Sequence, residues 1–258
     1  MPKFAANISM MFPERPFLAR IDAAARAGFR AVEMQFPYAF EVDEVAGAVR
    51  DAGVACVLIN APPGDWKAGE RGLAAVPGRH AAFKESIDRA LAYATALGCP
   101  RIHVMAGIPP SGADAGACRR AYVANLHDAA VAAATTGREL VIEPINTRDI
   151  PGYYLTTQAT AHAVLRAVGA DNLGVLMDLY HCQVMEGDLA TKLREYMAGI
   201  GHIQIAGPPE RHEPDTGEVN FPYLFALIDS LGYQGWIGAE YNPRGDTLAG
   251  LSWLAPYL

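Results

Sequence analysis

Short apolar runs rich in β-branched residues alternate along the chain with longer, Ala-rich stretches of helical period. Eight runs read as strands: 4–10, 31–35, 55–60, 101–105, 140–143, 173–178, 202–205 and 236–240. The segments between them read as helices, several stopped by the same punctuation. Ala27-Gly28-Phe29, Ala52-Gly53-Val54, Leu97-Gly98-Cys99 and Leu231-Gly232-Tyr233 each place glycine between a helix and a strand, and Gly137 and Gly169 extend the series. Glycine there supplies the left-handed residue that closes a helix C-terminus.

Eight units in 258 residues average about 32 residues each, the size of a βα repeat. No composition shift or Ser/Pro-rich linker divides the chain, so residues 1–258 read as one domain. A Rossmann sheet would carry a Gly-rich phosphate turn after its first strand, and Asn7–Phe12 contains no glycine. The pattern therefore predicts an α/β fold, a single (β/α)8 TIM barrel with its active site at the C-terminal ends of the strands.

With 51% hydrophobic and 19% charged residues, the chain has ample material for a core, which excludes disorder. Its formal charge of −7 and the lack of a basic run argue against a nucleic-acid partner. Cys56, Cys99, Cys118 and Cys182 stand far apart, so a reducing compartment is expected. The first residues show no signal-peptide pattern, and no stretch of about 18 apolar residues suggests a membrane span. A cytoplasmic protein is expected, with homo-oligomerisation left open.

The predicted strand ends carry the chemistry. Strand 5 ends in Glu143, strand 6 in Asp178 and strand 8 in Glu240, while Gln204 follows Ile203 in strand 7. The intervals of 35, 26 and 36 residues are each close to one βα unit. Four oxygen-bearing side chains thus project toward one centre, and three carboxylates there repel unless a cation or protons intervene. An all-oxygen set suits a hard divalent ion, Mg²⁺ or Mn²⁺, better than zinc. Any one of these residues alone would more simply be a helix cap or a loop salt bridge; four in register are not so easily explained.

His181, three residues after Asp178, is a candidate for the same pocket. Arg211, in the long loop after strand 7, suits bidentate binding of a substrate carboxylate. Residues 64–72 after strand 3 are too long for a minimal turn, so Trp66 and Arg71 are candidates for a binding wall. Met10-Met11-Phe12 reads as packing at the barrel mouth, and His103 and His202 read as hydrogen-bonded core residues.

The blocks FAANISMMF, NAPPGDWKAGERG, VIEPIN, MDLYH, HIQIAGPPERHEPDTGEVN and YQGWIGAEYNPRG resemble the hydroxypyruvate isomerase family. This family includes the 2-oxo-tetronate isomerases and lies among the xylose-isomerase-like barrels of carbohydrate metabolism. The resemblance implies that Glu143, Asp178, Gln204 and Glu240 bind one divalent metal and that Glu143 and Glu240 form the acid/base pair. It also implies that His181 and Arg211 contact a small hydroxy-oxo acid. Sugar epimerases of the wider group have histidine where this chain has Gln204. Many hydroxypyruvate isomerases have aspartate where this chain has Gly207, so the QIAGPPERHEP block is closer to the 2-oxo-tetronate branch. The competing readings are a metal-dependent hydrolase resembling endonuclease IV, which needs additional histidines and a basic groove, and a non-catalytic sugar-acid binder.

Overall fold

Each apolar run presents one set of side chains inward and the alternate set outward, as a closed parallel sheet wrapped by helices requires. The computed structural model describes residues 1–257, and its eight strands pair in parallel and in chain order around a closed barrel. They are β1 (Lys3–Asn7), β2 (Ala31–Met34), β3 (Ala55–Asn60), β4 (Arg101–His103), β5 (Glu139–Ile142), β6 (Leu173–Asp178), β7 (Ile200–Ile205) and β8 (Trp236–Ala239). The outer layer comprises α1 (Ala19–Arg26), α2 (Val42–Ala52), α3 (His80–Ala96), α4 (Ala115–Ala134), α5 (Gln158–Val168), α6 (Leu179–Met185), α7 (Leu189–Tyr196) and α8 (Phe221–Ser230).

The predicted strand set is present, with shifted ends. β1 stops at Asn7 rather than Met10 because the Asn7 carbonyl accepts from the amides of Met10 and Met11, turning the chain. Two helices, α6 and α7, follow β6, and a 3-10 segment (Leu248–Tyr257) follows β8 in place of a final α-helix. All six helix-terminating glycines named above adopt positive φ. The four cysteines are buried free thiols. No helix among the described residues is long and apolar enough to cross a membrane.

Outward residues such as Val32, Ile102, Ile142, Val175, Ile203 and Ile237 join the apolar layer between barrel and helices. The inward alternates hold a different pattern. Near its C-terminal end every strand contributes one buried polar residue, in order Asn7, Glu33, Asn60, His103, Glu143, Asp178, Gln204 and Glu240. Glu143 and Glu240 fall one residue past their strands. The pairing register sets Asn7 beside Glu33, Asn60 beside His103 and Asp178 beside Gln204. A register shift between Val32 and Glu33 re-aims the glutamate inside the barrel.

Candidate active site

The strand-end carboxylates meet as expected. One ligand atom from each of Glu143, Asp178, His181 and Glu240 lies within 4.8 Å of all the others, and every one of these residues is buried. Gln204 joins them from β7, its neighbour in register being Asp178.

The oxygens divide into engaged and free. Asp178 Oδ1 caps α6 by accepting from the Tyr180 amide at 2.8 Å, while Oδ2 accepts no hydrogen bond. Gln204 Nε2 donates to Glu33 Oε1 at 2.6 Å, which turns Gln204 Oε1 away without a partner. Glu143 Oε1 is likewise buried and unpartnered. Buried polar atoms are almost always satisfied, so three such oxygens on neighbouring strands could serve as donors to a cation. Glu240 is differently held: Oε1 accepts from Asn7 Nδ2 at 2.8 Å and Gln35 Nε2 at 3.0 Å, and Oε2 from Arg211 Nη2 at 2.5 Å.

Glu33 sits beneath this set, fully buried, and was not anticipated from the sequence. Its Oε1 accepts from Asn7 and Gln204 and its Oε2 faces His202 Nε2 at 2.7 Å. Gly238 leaves it room, since a Cβ there would stand 2.3 Å from Glu33 Oε2. His202 is therefore the hydrogen-bonded core residue expected. His103 instead reaches the pocket, with Nε2 3.5 Å from Glu143 Oε2.

His181 presents a defined tautomer. Asn146 Oδ1 accepts from the Asp149 amide, which directs Asn146 Nδ2 at His181 Nδ1, 2.6 Å away. Nδ1 therefore accepts and Nε2 carries the hydrogen. That N–H points between Glu143 Oε1 at 3.7 Å and Asp178 Oδ2 at 3.6 Å. Burial, reinforced by Arg211 and His103, holds the ring pKa well below its usual value. In this arrangement His181 offers an N–H to the cluster, while its ring also stands among the atoms close enough together to hold a metal ion.

Arg211 adopts φ +60° and is directed into the cluster rather than toward open space. Nη2 pairs with Glu240 and lies 3.6 Å from Asp178 Oδ2, while Nη1 lies 3.4 Å from Asp149 Oδ2. Its guanidinium also lies over Tyr180, 5.0 Å from the ring centre. In the same loop a Cβ on Gly207 would stand 2.4 Å from the Thr216 carbonyl oxygen and 2.5 Å from that of Glu213. The loop as folded admits only glycine at that position.

Met10, Trp66, Arg71, Glu143, His181, Arg211 and Glu240 all border one cavity of about 350 Å³. A larger cavity, about 440 Å³, opens at the other end of the barrel among Gly174, Gly199 and Gly201. It lacks a carboxylate cluster among the described residues, and in TIM barrels chemistry resides at the C-terminal face.

Three carboxylates facing one guanidinium leave excess negative charge in a dry site. Burial, then the charges of Glu240 and Asp178, push the Glu143 carboxyl well above its usual range. Burial, opposed by Arg211 and reinforced by Glu240, pushes Asp178 up to about 7. A carboxyl raised on folding binds protons more tightly in the native state, so native stability falls as pH rises from the ordinary carboxylate range to about 7. With chelator present, Tm should therefore drop between pH 5 and 7.5, and saturating Mg²⁺ or Mn²⁺ should remove most of that drop. Calorimetry at several pH values measures this; a chelated protein whose Tm rises across the interval would contradict the charge balance.

Residues 21–257 match the xylose isomerase-like TIM barrel family. The chain is 58% identical to a 2-oxo-tetronate isomerase of Cupriavidus necator, covering 100% of this chain and 99% of that protein. It is 43% identical to the hydroxypyruvate isomerase of Escherichia coli K12, over the full length of both. The protein belongs to the xylose isomerase-like barrels, in their hydroxypyruvate isomerase branch. A crystal structure of AP endonuclease, family 2, from Brucella melitensis matches this isomerase-family barrel with a TM-score of 0.98 and 48% identity, covering 100% and 99% of the two chains. D-psicose 3-epimerase from Clostridium cellulolyticum H10, at 17% identity and a TM-score of 0.78, shares the fold.

Proposed function

We propose that this isomerase interconverts a 2-oxo acid bearing a neighbouring hydroxyl with its 3-oxo isomer through an enediolate, with 2-oxo-tetronate as substrate and hydroxypyruvate as its three-carbon analogue. The observation that carries this reading is the set of unpartnered buried oxygens on Glu143, Asp178 and Gln204, beside a cavity bordered by Glu143, Glu240, Arg71 and Arg211. The 58% identical 2-oxo-tetronate isomerase supports the four-carbon choice.

Glu143, Asp178, Gln204 and Glu240 would hold Mg²⁺ or Mn²⁺, which when bound stabilises negative charge developing on the substrate's carbonyl and hydroxyl oxygens. Glu143 and Glu240 act as acid and base: one takes the proton from the hydroxyl-bearing carbon and the other returns a proton to the former carbonyl carbon, while the hydroxyl proton passes from its oxygen to the former carbonyl oxygen. His181 donates its Nε2–H to a reacting oxygen. Arg211, tied to Glu240 and Asp178, covers the reacting end, and Trp66 shields it from water. Two glutamates this close together favour turnover over simple binding. The cavity's size favours a small acid over a phosphodiester strand.

The test is NMR of the purified protein in D₂O with Mg²⁺ or Mn²⁺, supplying 2-oxo-tetronate and hydroxypyruvate separately. Expected is isomerisation with solvent deuterium appearing at the reacting carbons, faster for the four-carbon acid. Absence of isomerisation of either acid at millimolar concentration, with the metal bound, would overturn the assignment.

A further inference from the structure

We propose that Arg71, on the loop after β3, is the anchor for the substrate's carboxylate; this rests on the reading of the substrate as a small acid. Arg211 and Arg71 both border the pocket, but Arg211 keeps only Nε unpartnered, whereas Arg71 keeps a whole edge of its fork, Nε and Nη2. Arg211 is committed to Glu240, Asp178 and Asp149. Arg71 borders the same cavity and pairs with no carboxylate among the described residues.

Arg71 is held ready rather than left free to move. Its guanidinium stacks on Trp66, 3.7 Å from the ring centre, and that indole packs in turn on Phe36. Nη1 donates to the carbonyls of Trp66 at 3.0 Å and Glu70 at 2.8 Å. Nε and Nη2 take no acceptor among the described residues, so one edge of a planar, oriented guanidinium remains for a ligand. An arginine edge of this kind matches a carboxylate's two oxygens, which a lysine cannot reproduce.

The backbone beneath is equally fixed. The next residue, Gly72, has φ +114° and forms an antiparallel bridge with Ala106 just beyond β4. A Cβ on Gly72 would stand 2.3 Å from the Met105 carbonyl oxygen, so the close approach requires glycine. The Gly72 amide donates to the Pro63 carbonyl at 2.8 Å, and Glu70 is ion-paired with Arg79. Loops that wall a binding site gain affinity when ordered before the ligand arrives, and this one is tied on both sides of Arg71. The charge pattern agrees: an acid entering a pocket of carboxylates needs a cation that those carboxylates have not already taken.

The experiment is calorimetric titration of the metal-loaded protein with tartronate, a small hydroxy acid that cannot isomerise, comparing wild type with Arg71→Met and Arg71→Lys. Arg71→Met keeps the stem over Trp66 and removes the charge. It should weaken tartronate binding at least thirtyfold, while Mg²⁺ or Mn²⁺ affinity stays within twofold. Arg71→Lys should recover part of the loss. In kinetics the deficit should appear mainly in KM for acids, with little change for erythrulose or dihydroxyacetone, where CH₂OH replaces the carboxylate. Tartronate binding by Arg71→Met within threefold of wild type overturns the anchor, as does absence of binding to wild type. Wild type that binds tartronate through Arg71 but isomerises neither acid would remove the proposed reaction and leave the anchor standing. Wild type that isomerises while Arg71→Met binds tartronate undiminished would remove the anchor alone.

Discussion

At saturating Mg²⁺ or Mn²⁺, Glu143→Gln should lower kcat by roughly 10²- to 10⁴-fold, the range by which a positioned acid or base accelerates proton transfer. The amide matches the carboxylate in size and keeps one ligand oxygen, but it cannot accept a proton at neutral pH. Glu143 makes this a clean experiment because its free Oε1 means the protein loses no hydrogen bond there on substitution. Folding should therefore be nearly unaffected, or slightly favoured, since burial and its carboxylate neighbours already oppose ionisation at this position. Glu240→Gln should be as damaging to turnover but less simple. Glu240 accepts from Asn7, Gln35 and Arg211, and an amide would present hydrogens toward some of those donors. Its loss of Tm should exceed that of Glu143→Gln. Single-turnover kinetics alongside deuterium exchange would separate the two: both variants should lose isomerisation, and at least one should lose exchange. If both fully metallated variants retain turnover within a factor of about 10 of wild type, a barrier change of only about 1.4 kcal/mol, the acid/base assignment is wrong.

The half of the site on strands 5 to 8 was legible because its signal is local. An acid or amide closing or lying within an apolar run, repeated near the βα period, needs no knowledge of tertiary contacts. The half on strands 1 to 4 was not. Glu33 lies inside its predicted run, and its buried, threefold-bonded state depends on Asn7 of the neighbouring β1 and on His202 and Gln204 of β7, which does not pair with β2. Asn7 was hidden by a first strand drawn three residues too long, a boundary set by the turn that its own carbonyl makes. A parity argument would have found Glu33, since it shares its face with Gln35, which reaches Glu240. Arg211 was placed in the pocket, but the sequence carries no sign of its commitment to Glu240 and Asp178. That follows from a loop conformation with φ +60° at a non-glycine residue. Trp66 and Arg71 were identified by loop length alone; their stacking emerges only in three dimensions.

Glu33 gives the other large effect. Glu33→Leu should destabilise the fold by roughly 3–5 kcal/mol, because it removes the acceptor of three buried donors, of which only Asn7 Nδ2 keeps another, Glu240 Oε1. Those donors are Asn7 Nδ2 and Gln204 Nε2, both on Oε1, and His202 Nε2 facing Oε2. Glu33→Gln should be far milder. Its amide oxygen can accept from Asn7 and Gln204 as Oε1 does, while its NH₂ donates to His202 Nε2. That exchange requires His202 to carry its hydrogen on Nδ1, which is buried without a partner in the native protein. The same contacts reach the proposed metal site, because the bond from Gln204 Nε2 to Glu33 leaves Gln204 Oε1 as the free ligand atom of that side chain. Removing a group that orients a ligand typically costs about 10–100-fold in metal affinity. Denaturant melts and Mn²⁺ titrations on both variants measure the two effects independently. Glu33→Leu should fall by that factor in Mn²⁺ affinity even below its unfolding temperature, and Glu33→Gln should stay within about tenfold of wild type. A folded Glu33→Leu protein that binds Mn²⁺ as wild type does would show that Gln204 is oriented by something other than Glu33, or that it is not a ligand.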